Sequence, residues 1–266
     1  MSSVAHMAGS THDAWEKAAR AGYLVSGLLH VLIGVLAFQL AFGDSSRSAD
    51  QSGALASVAD ESFGAAILWF AFVAFLALGA WQAAKAAHVG GAGRAGSSGD
   101  RAKAVGRAVM YLALAVLTFA WARGGGSSSK GQTQDFTADL MKAPFGQVLV
   151  AALGIAVVVI GIYHVVKGWR EKFLEDLTGL PRGSAGRGTR LAGKVGYIAK
   201  GVALAIVGGL FVVAAQQSDA SEATGLDGAM HTLKEGPAGT VLLALVAVGL
   251  MAFGVYCFVR ARYGRL

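Results

Sequence analysis

The chain has 266 residues, of which 55% are hydrophobic and only 15% charged, with a formal net charge of +7. Apolar residues gathered in runs of about 20 mark a polytopic membrane protein and exclude an ordinary soluble fold. The single cysteine, Cys257, excludes a disulfide framework within one chain.

Six runs carry the pattern: Ala21–Phe42, Ala65–Ala87, Ala104–Ala122, Gln147–Val166, Val195–Ala215 and Thr240–Val259. Each can cross a hydrocarbon core of ~30 Å at a rise of about 1.5 Å per residue. The predicted fold is therefore all-α, with six transmembrane helices. Residues 1–12 are small and polar and read as a disordered N-terminus. Asp13-Ala-Trp-Glu16 reads as a capping box that starts a helix leading into the first span. Trp15, Lys17 and Arg20 suit the headgroup layer, where an amphipathic ring and cations with long stems both reach water.

The first span resembles a secretory signal at Ala41-Phe42-Gly43, where small residues could form a cleavage site. Its length exceeds the roughly 7–15 residues of a signal core, and a copy of it recurs deep in the chain, so it is read as a retained span. Shifted by 174 positions, Arg20, Gly22, Tyr23, Gly27 and Gly34 meet Lys194, Gly196, Tyr197, Gly201 and Gly208. A weaker copy lies between them. Shifted by 81, Arg20 meets Arg101, while Gly22 and Gly27 are replaced by Lys103 and Ala108.

After each of these spans comes an acidic loop with apolar residues at helical spacing, namely Leu55 and Val58, then Phe136, Leu140 and Met141, then Leu226, Met230 and Leu233. Each loop is expected to hold a short amphipathic helix on the outer membrane face, ended by Phe63-Gly64, Pro144-Phe145-Gly146 or Pro237-Ala238-Gly239. The second spans repeat as clearly. Gly64, Gly79, Trp81 and Lys85 align with Gly146, Gly161, Tyr163 and Lys167, and again with Gly239, Gly254, Tyr256 and Arg260. The aromatic and the cation one turn apart are expected to anchor the cytoplasmic end of each span.

Three tandem units follow: 13–89, 101–178 and 190–266, separated by Gly/Ser-rich linkers at 90–100 and 179–189. Before the second linker, Trp169, Phe173, Leu174 and Leu177 share one face of an extension of the fourth span, expected to lie partly on the lipid surface. A unit with two spans returns the chain to the side it left, so all three units face the same way. They can be related only by an axis along the membrane normal, in a pseudo-threefold arrangement. Glycines at intervals of seven, such as Gly154, Gly161 and Gly168, let helices approach closely.

Divided by membrane side, the charge explains itself. The termini and the loops between units hold 18 basic and 6 acidic residues, the loops within units 5 and 10. The positive-inside rule puts both termini in the cytoplasm of a plasma-membrane protein and makes the basic balance topology, with no nucleic-acid partner implied. The expected partners are the lipid bilayer and a membrane protein or a second copy of the chain.

The three two-helix units, the basic-x-Gly-Tyr entry and turns of the Pro144-Phe145-Gly146 kind before the second helices resemble the bacterial family catalogued as domain-of-unknown-function 1206. The resemblance covers about residues 14–264 and is weakest in the third span, which lacks the Gly-Tyr pair. It implies an integral membrane protein and no particular reaction.

Polar residues within spans are the candidates for function, since each is costly in lipid. They are His30, Gln39, Gln82, Arg107, His164 and Lys200, to which Tyr111 is added as the repeat partner of His30. Arg107 and Lys200 lie near the cytoplasmic end and are read as reaching out to the headgroups. Gln82, His164 and Cys257 share one repeat position and are expected to make a polar contact between units. Two membrane histidines raise the possibility of a bis-histidine haem, but His30 is near mid-membrane and His164 close to the edge, so no cofactor is expected. Neither has a second ligand at i+3 or i+4, so no metal is expected. No Asp or Glu lies in any span, and no nucleotide-binding, zinc or nucleophile-elbow motif is present. The leading expectation is a non-enzymatic scaffold or interaction protein, followed by a pore or facilitator for a neutral or anionic solute, and then a haem-binding redox subunit.

Overall fold

A backbone crossing hydrocarbon must satisfy its own N–H and C=O groups, and helix is how this chain does so. The computed structural model describes residues 2–43, 47–88, 98–126, 128–180 and 182–265. Among them are nine α-helices and no strand: α1 (Ser2–Ala41), α2 (Gln51–Ala59), α3 (Gly64–His88), α4 (Ser98–Ala122), α5 (Ser129–Met141), α6 (Gly146–Trp169), α7 (Ser184–Gln217), α8 (Gly225–Glu235) and α9 (Gly239–Tyr263). The six long apolar helices α1, α3, α4, α6, α7 and α9 are able to cross a membrane and match the six runs of the sequence. The short helices α2, α5 and α8 fill the loop within each unit.

Helices run further than composition suggested. Residues 2–12 belong to α1 instead of being disordered, so Asp13 and Glu16 lie inside a helix and mark no start. With no proline in that stretch, nothing stops an Ala-containing helix from propagating. Likewise α7 begins at Ser184, inside the expected linker. Positions 90–97 of the first linker and Pro181 of the second lie outside the described residues.

The turn into each second span is built the same way three times. The amide N–H of Gly64, Gly146 and Gly239 donates to the carbonyl three residues back, at 2.8, 2.8 and 2.9 Å. A side chain at these glycines would collide with carbonyls of the preceding helix, Val58, Leu140 and Lys234. Ahead of two of them, Phe145 and Ala238 take left-handed backbone angles, φ 60° and 54°, and accept the first helical hydrogen bond from Leu149 and Leu242.

The chain divides into two compact units, one of residues 1–25 and 58–126, the other of residues 26–57 and 127–265. In the first, Gly22 of α1 faces the Leu78 side chain of α3, and Gly79 of α3 faces Leu112 of α4, whose N-terminal half brings buried Ala104 and Ala108. Trp69, Phe72 and Phe119 pack their rings at 5.2–5.8 Å between α3 and α4.

In the second unit the glycines meet in reciprocal pairs. A Cβ on Gly161 of α6 would lie 2.7 Å from the Gly201 carbonyl of α7, and one on Gly201 would lie 2.5 Å from the Gly161 carbonyl. Gly254 of α9 and Gly27 of α1 repeat this, at 2.6 and 3.0 Å from each other's carbonyl oxygens. Gly196 faces the Phe253 backbone of α9 at 2.5 Å, the repeat equivalent of Gly22 facing Leu78. The first span of a repeat thus carries two glycines, one for its own second span and one for the second span of another repeat. That is the physical content of the Gly-Tyr-x-x-x-Gly spacing.

The loop helices depart from the expected surface position. In α2, Ala54 and Leu55 are 0% and 2% exposed, and in α8, Ala229 and Met230 are fully buried. The apolar face of α8 finds protein instead of lipid, because α8 packs on α7 and α9. Of the three, only α5 keeps a large exposed apolar residue, Phe136.

Candidate functional site

Three groups of polar residues stand out, all in the second unit. The first is in the bilayer. His30 of α1 brings Nδ1 within 2.7 Å of the Ser26 carbonyl one turn earlier. A nitrogen facing a carbonyl must carry the proton, so Nε2 keeps its lone pair. Lys200 Nζ lies 3.4 Å from that nitrogen, placed to donate to it, and 4.3 Å from the Phe253 ring centroid. Lys200 therefore turns inward, against the expectation that it reaches the headgroups. The Phe253 ring also packs on the His30 ring at 4.7 Å, which shields the pair from lipid. His30 is partly buried and meets a polar side chain of the third repeat. Tyr111 belongs to the other unit, where it stacks on Phe75 at 6.3 Å. Gln82 is partly buried in α3, whereas Gln39 and Arg107 are exposed.

The second group caps the end of the spans where the basic residues gather. The segment after α6 forms a 3-10 turn, Lys172–Asp176, and folds into the protein instead of lying on lipid. Phe173 is 0% exposed, stacked 5.5 Å from Tyr197 and edge-on at 5.3 Å to Tyr256. The Tyr256 hydroxyl donates to the Phe173 carbonyl at 2.8 Å. Asp176 accepts from Lys167 Nζ at 2.7 Å and lies 3.2 Å from Arg260, and Arg260 also reaches the Tyr197 hydroxyl at 3.4 Å. The backbone follows, as Thr178 N–H donates to the Tyr263 carbonyl and Arg265 N–H to that of Asp176.

This corrects the reading of the aromatic-cation pairs as three equal membrane anchors. Trp81 and Lys85 do pair, with the ammonium 4.8 Å from the ring. Tyr163 is 59% exposed, whereas its counterpart Tyr256 is fully buried and Lys167 and Arg260 converge on Asp176. Of the three residues at the Gln82 position, His164 donates from Nδ1 to the Ile160 carbonyl at 2.8 Å and stacks on Tyr197 at 5.8 Å. Cys257 is buried beside Tyr197 and Tyr256. Tyr23 of α1, in the other unit, is partly buried. The burial of Phe173 in protein and the role of Asp176 escaped the sequence because an amphipathic segment beside a membrane looks alike whether it covers lipid or protein.

The third group lies at the opposite ends of α6, α7 and α9, among the loop helices. Asp227 of α8 accepts from the Ala49 N–H at 2.8 Å, and Asp50 accepts from Ser52 Oγ at 2.6 Å and Gly53 N–H at 3.0 Å. Both carboxylates are buried, Asp50 1% and Asp227 7% exposed. Burial, reinforced by the like charge of Asp227, raises the Asp50 pKa above its ordinary value of 3.8 despite the opposing hydrogen bonds. From α5, Gln134 donates to the Ser221 carbonyl at 2.7 Å. Loop residues of all three repeats are thus joined around one polar cavity. Among the described residues no cluster of three or more His, Cys, Asp or Glu side chains could hold a metal ion.

Three segments, residues 21–88, 102–171 and 195–264, each match the family described as Domain of Unknown Function (DUF1206). The chain is also similar to a protein of Bacillus subtilis (strain 168), titled Uncharacterized protein YxxB, at 28% identity over 250 residues, which is 92% of this chain and 89% of the relative. No solved structure matches.

Proposed function

We infer that this chain, which belongs to the DUF1206 family, is a non-catalytic helical scaffold or interaction protein of the plasma membrane. The observation that carries this is how the polar groups of the bilayer region are used. His30, Lys200, His164, Tyr256 and Arg260 make hydrogen bonds or ion pairs with one another, with helix carbonyls or with Asp176. Groups satisfied in this way hold helices together, whereas a solute path or a reaction needs polar groups that face a substrate. A pore or facilitator for a neutral or anionic solute is the second reading. It is supported by polar side chains that lie exposed on the spans, Gln39 of α1 and Arg107 of α4. A haem-binding redox subunit ranks third, because the His30 Nε2 lone pair that would ligate iron already faces Lys200 Nζ at 3.4 Å.

Purification from native membranes in mild detergent tests the function. A stoichiometric protein partner or a defined homo-oligomer supports the scaffold, whereas a lone chain that carries solute flux in proteoliposomes overturns it. Orientation is tested by single-cysteine labelling in intact cells with an impermeant reagent, in a Cys257→Ser background. Positions 128 and 221 should react and position 184 should not, all three being exposed in the structure. The reverse pattern would invert the assignment of both termini to the cytoplasm.

A further inference from the structure

The polar cavity among the loop helices is an open cleft of about 440 Å³, lined by groups of both signs drawn from different repeats. Asp227, His231 and Glu235 recur every four residues along one face of α8 and form an acidic wall, to which Glu222 adds a third lining carboxylate. The basic groups come from elsewhere, Arg47 from the loop after the first span and Lys130 from α5. Opposite charges in one cavity ordinarily neutralise each other directly. Here Arg47 Nη1 donates to Ser57 Oγ at 3.1 Å and Asp227 accepts from the Ala49 N–H and lies 3.8 Å from His231, but Lys130, Glu222 and Glu235 make no ion pair among the described residues, and the wall is backed by a buried carboxylate, Asp50, whose Oδ2 has no hydrogen-bond partner there. The cavity also touches Leu210 of α7, which lies seven residues, about 10 Å of helix rise, before the end of that helix at Gln217. The space therefore runs from the polar loops toward the depth of the spans.

We propose that this cavity binds a small zwitterion, with its ammonium group against Asp227, Glu222 and Glu235 and its phosphate or carboxylate against Arg47 and Lys130. A volume of this size suits a ligand of small-molecule dimensions, and charge-assisted hydrogen bonds at both ends select a molecule carrying both charges over one carrying either. Two sources offer that chemistry: a free solute such as phosphoethanolamine, and the same group as the headgroup of phosphatidylethanolamine. The inference does not rest on the scaffold reading, since a partner captured elsewhere on the molecule is unaffected by it.

The test uses the full chain. Purified in detergent, it is titrated calorimetrically with phosphoethanolamine, ethanolamine and inorganic phosphate. In nanodiscs its thermal stability is compared between phosphatidylethanolamine and phosphatidylglycerol. Lys130→Gln and Glu235→Gln are measured beside the parent; both side chains are exposed, so their unliganded melting should be unchanged. The expected result is that phosphoethanolamine binds at least tenfold more tightly than either half, or that phosphatidylethanolamine alone stabilises the protein, with each variant weakening the effect about tenfold. Binding of the free compound identifies a solute site, and an effect confined to nanodiscs identifies a headgroup site. If the zwitterion does no better than its halves and the two lipids act alike, or if both variants behave as the parent, the proposal is overturned.

Discussion

The glycine pair joining α6 and α7 allows a quantitative test of how the spans are held together. In Gly161→Ala the new Cβ would sit 2.7 Å from the Gly201 carbonyl oxygen and 2.8 Å from the Ala205 nitrogen, against about 3.4 Å for ordinary contact. Both obstacles are backbone atoms, which no rotamer change can move, so the helices must separate locally by about 0.7 Å. Overpacking of this kind costs about 1–3 kcal/mol, and the better helix propensity of Ala returns at most ~1 kcal/mol. The net expectation is a loss of about 1–2 kcal/mol. Gly209 of α7 has nothing within 4 Å of a Cβ, so Gly209→Ala should melt at or above the parent. Gly201→Ala should behave as Gly161→Ala does. The double variant should lose less than the sum, because helices already pushed apart by one methyl accommodate its neighbour. Thermal unfolding in detergent, followed by circular dichroism, reads all four, at roughly 2–4 °C per kcal/mol. If Gly161→Ala and Gly209→Ala melt together, close approach at the glycines is not what joins these helices.

The remaining predictions concern charge. Asp176→Asn leaves Lys167 and Arg260, whose side chains are 15% and 18% exposed, without their shared carboxylate. Allowing for partial solvent screening, it should lower stability by about 1–2 kcal/mol, with partial recovery in Asp176→Glu, as measured by the same melts. His30→Leu removes the acceptor for Lys200 Nζ and should cost about 2 kcal/mol. The variant His30→Leu with Lys200→Leu should recover much of that loss, and a double variant no better than the single would refute the pairing. The Asp50 pKa is raised in the folded state, so its stabilising contribution is complete below the ordinary carboxylate value of 3.8 and is lost as pH rises through the higher folded value. Asp50→Asn, which cannot ionise, should therefore gain in melting temperature relative to the parent as pH increases. Asp227, whose charge contributes to the Asp50 shift, and His231, 3.8 Å from it, are present in both proteins, so the difference between the two curves reports Asp50 together with its coupling to Asp227. A difference that does not change with pH would refute the assignment.

Hydropathy and repetition made the spans legible, because crossing lipid constrains length and composition far more tightly than folding in water does. The loop helices were legible for the same reason of periodicity, but their burial was not. Leu55 and Met230 would give the same pattern on a membrane as in a protein interface, and periodicity reports that a face is apolar without saying what covers it. Lys200 was misread through a similar ambiguity: near a span end a lysine can reach outward or inward, and only the His30 lone pair and the Phe253 ring, distant in sequence, decide the direction. The cap at the basic end teaches the most. Tyr163 and Tyr256 hold the same repeat position and have opposite fates, 59% and 0% exposed. The difference comes from Phe173 and Asp176, whose counterparts 82 positions earlier are Gly91 and Arg94. An internal repeat shows what the units share, here the glycines through which helices touch. The contacts particular to one place in the molecule arise where the repeat is broken, so Asp176, Lys200 and the charged loop residues are where a search for this protein's activity should begin.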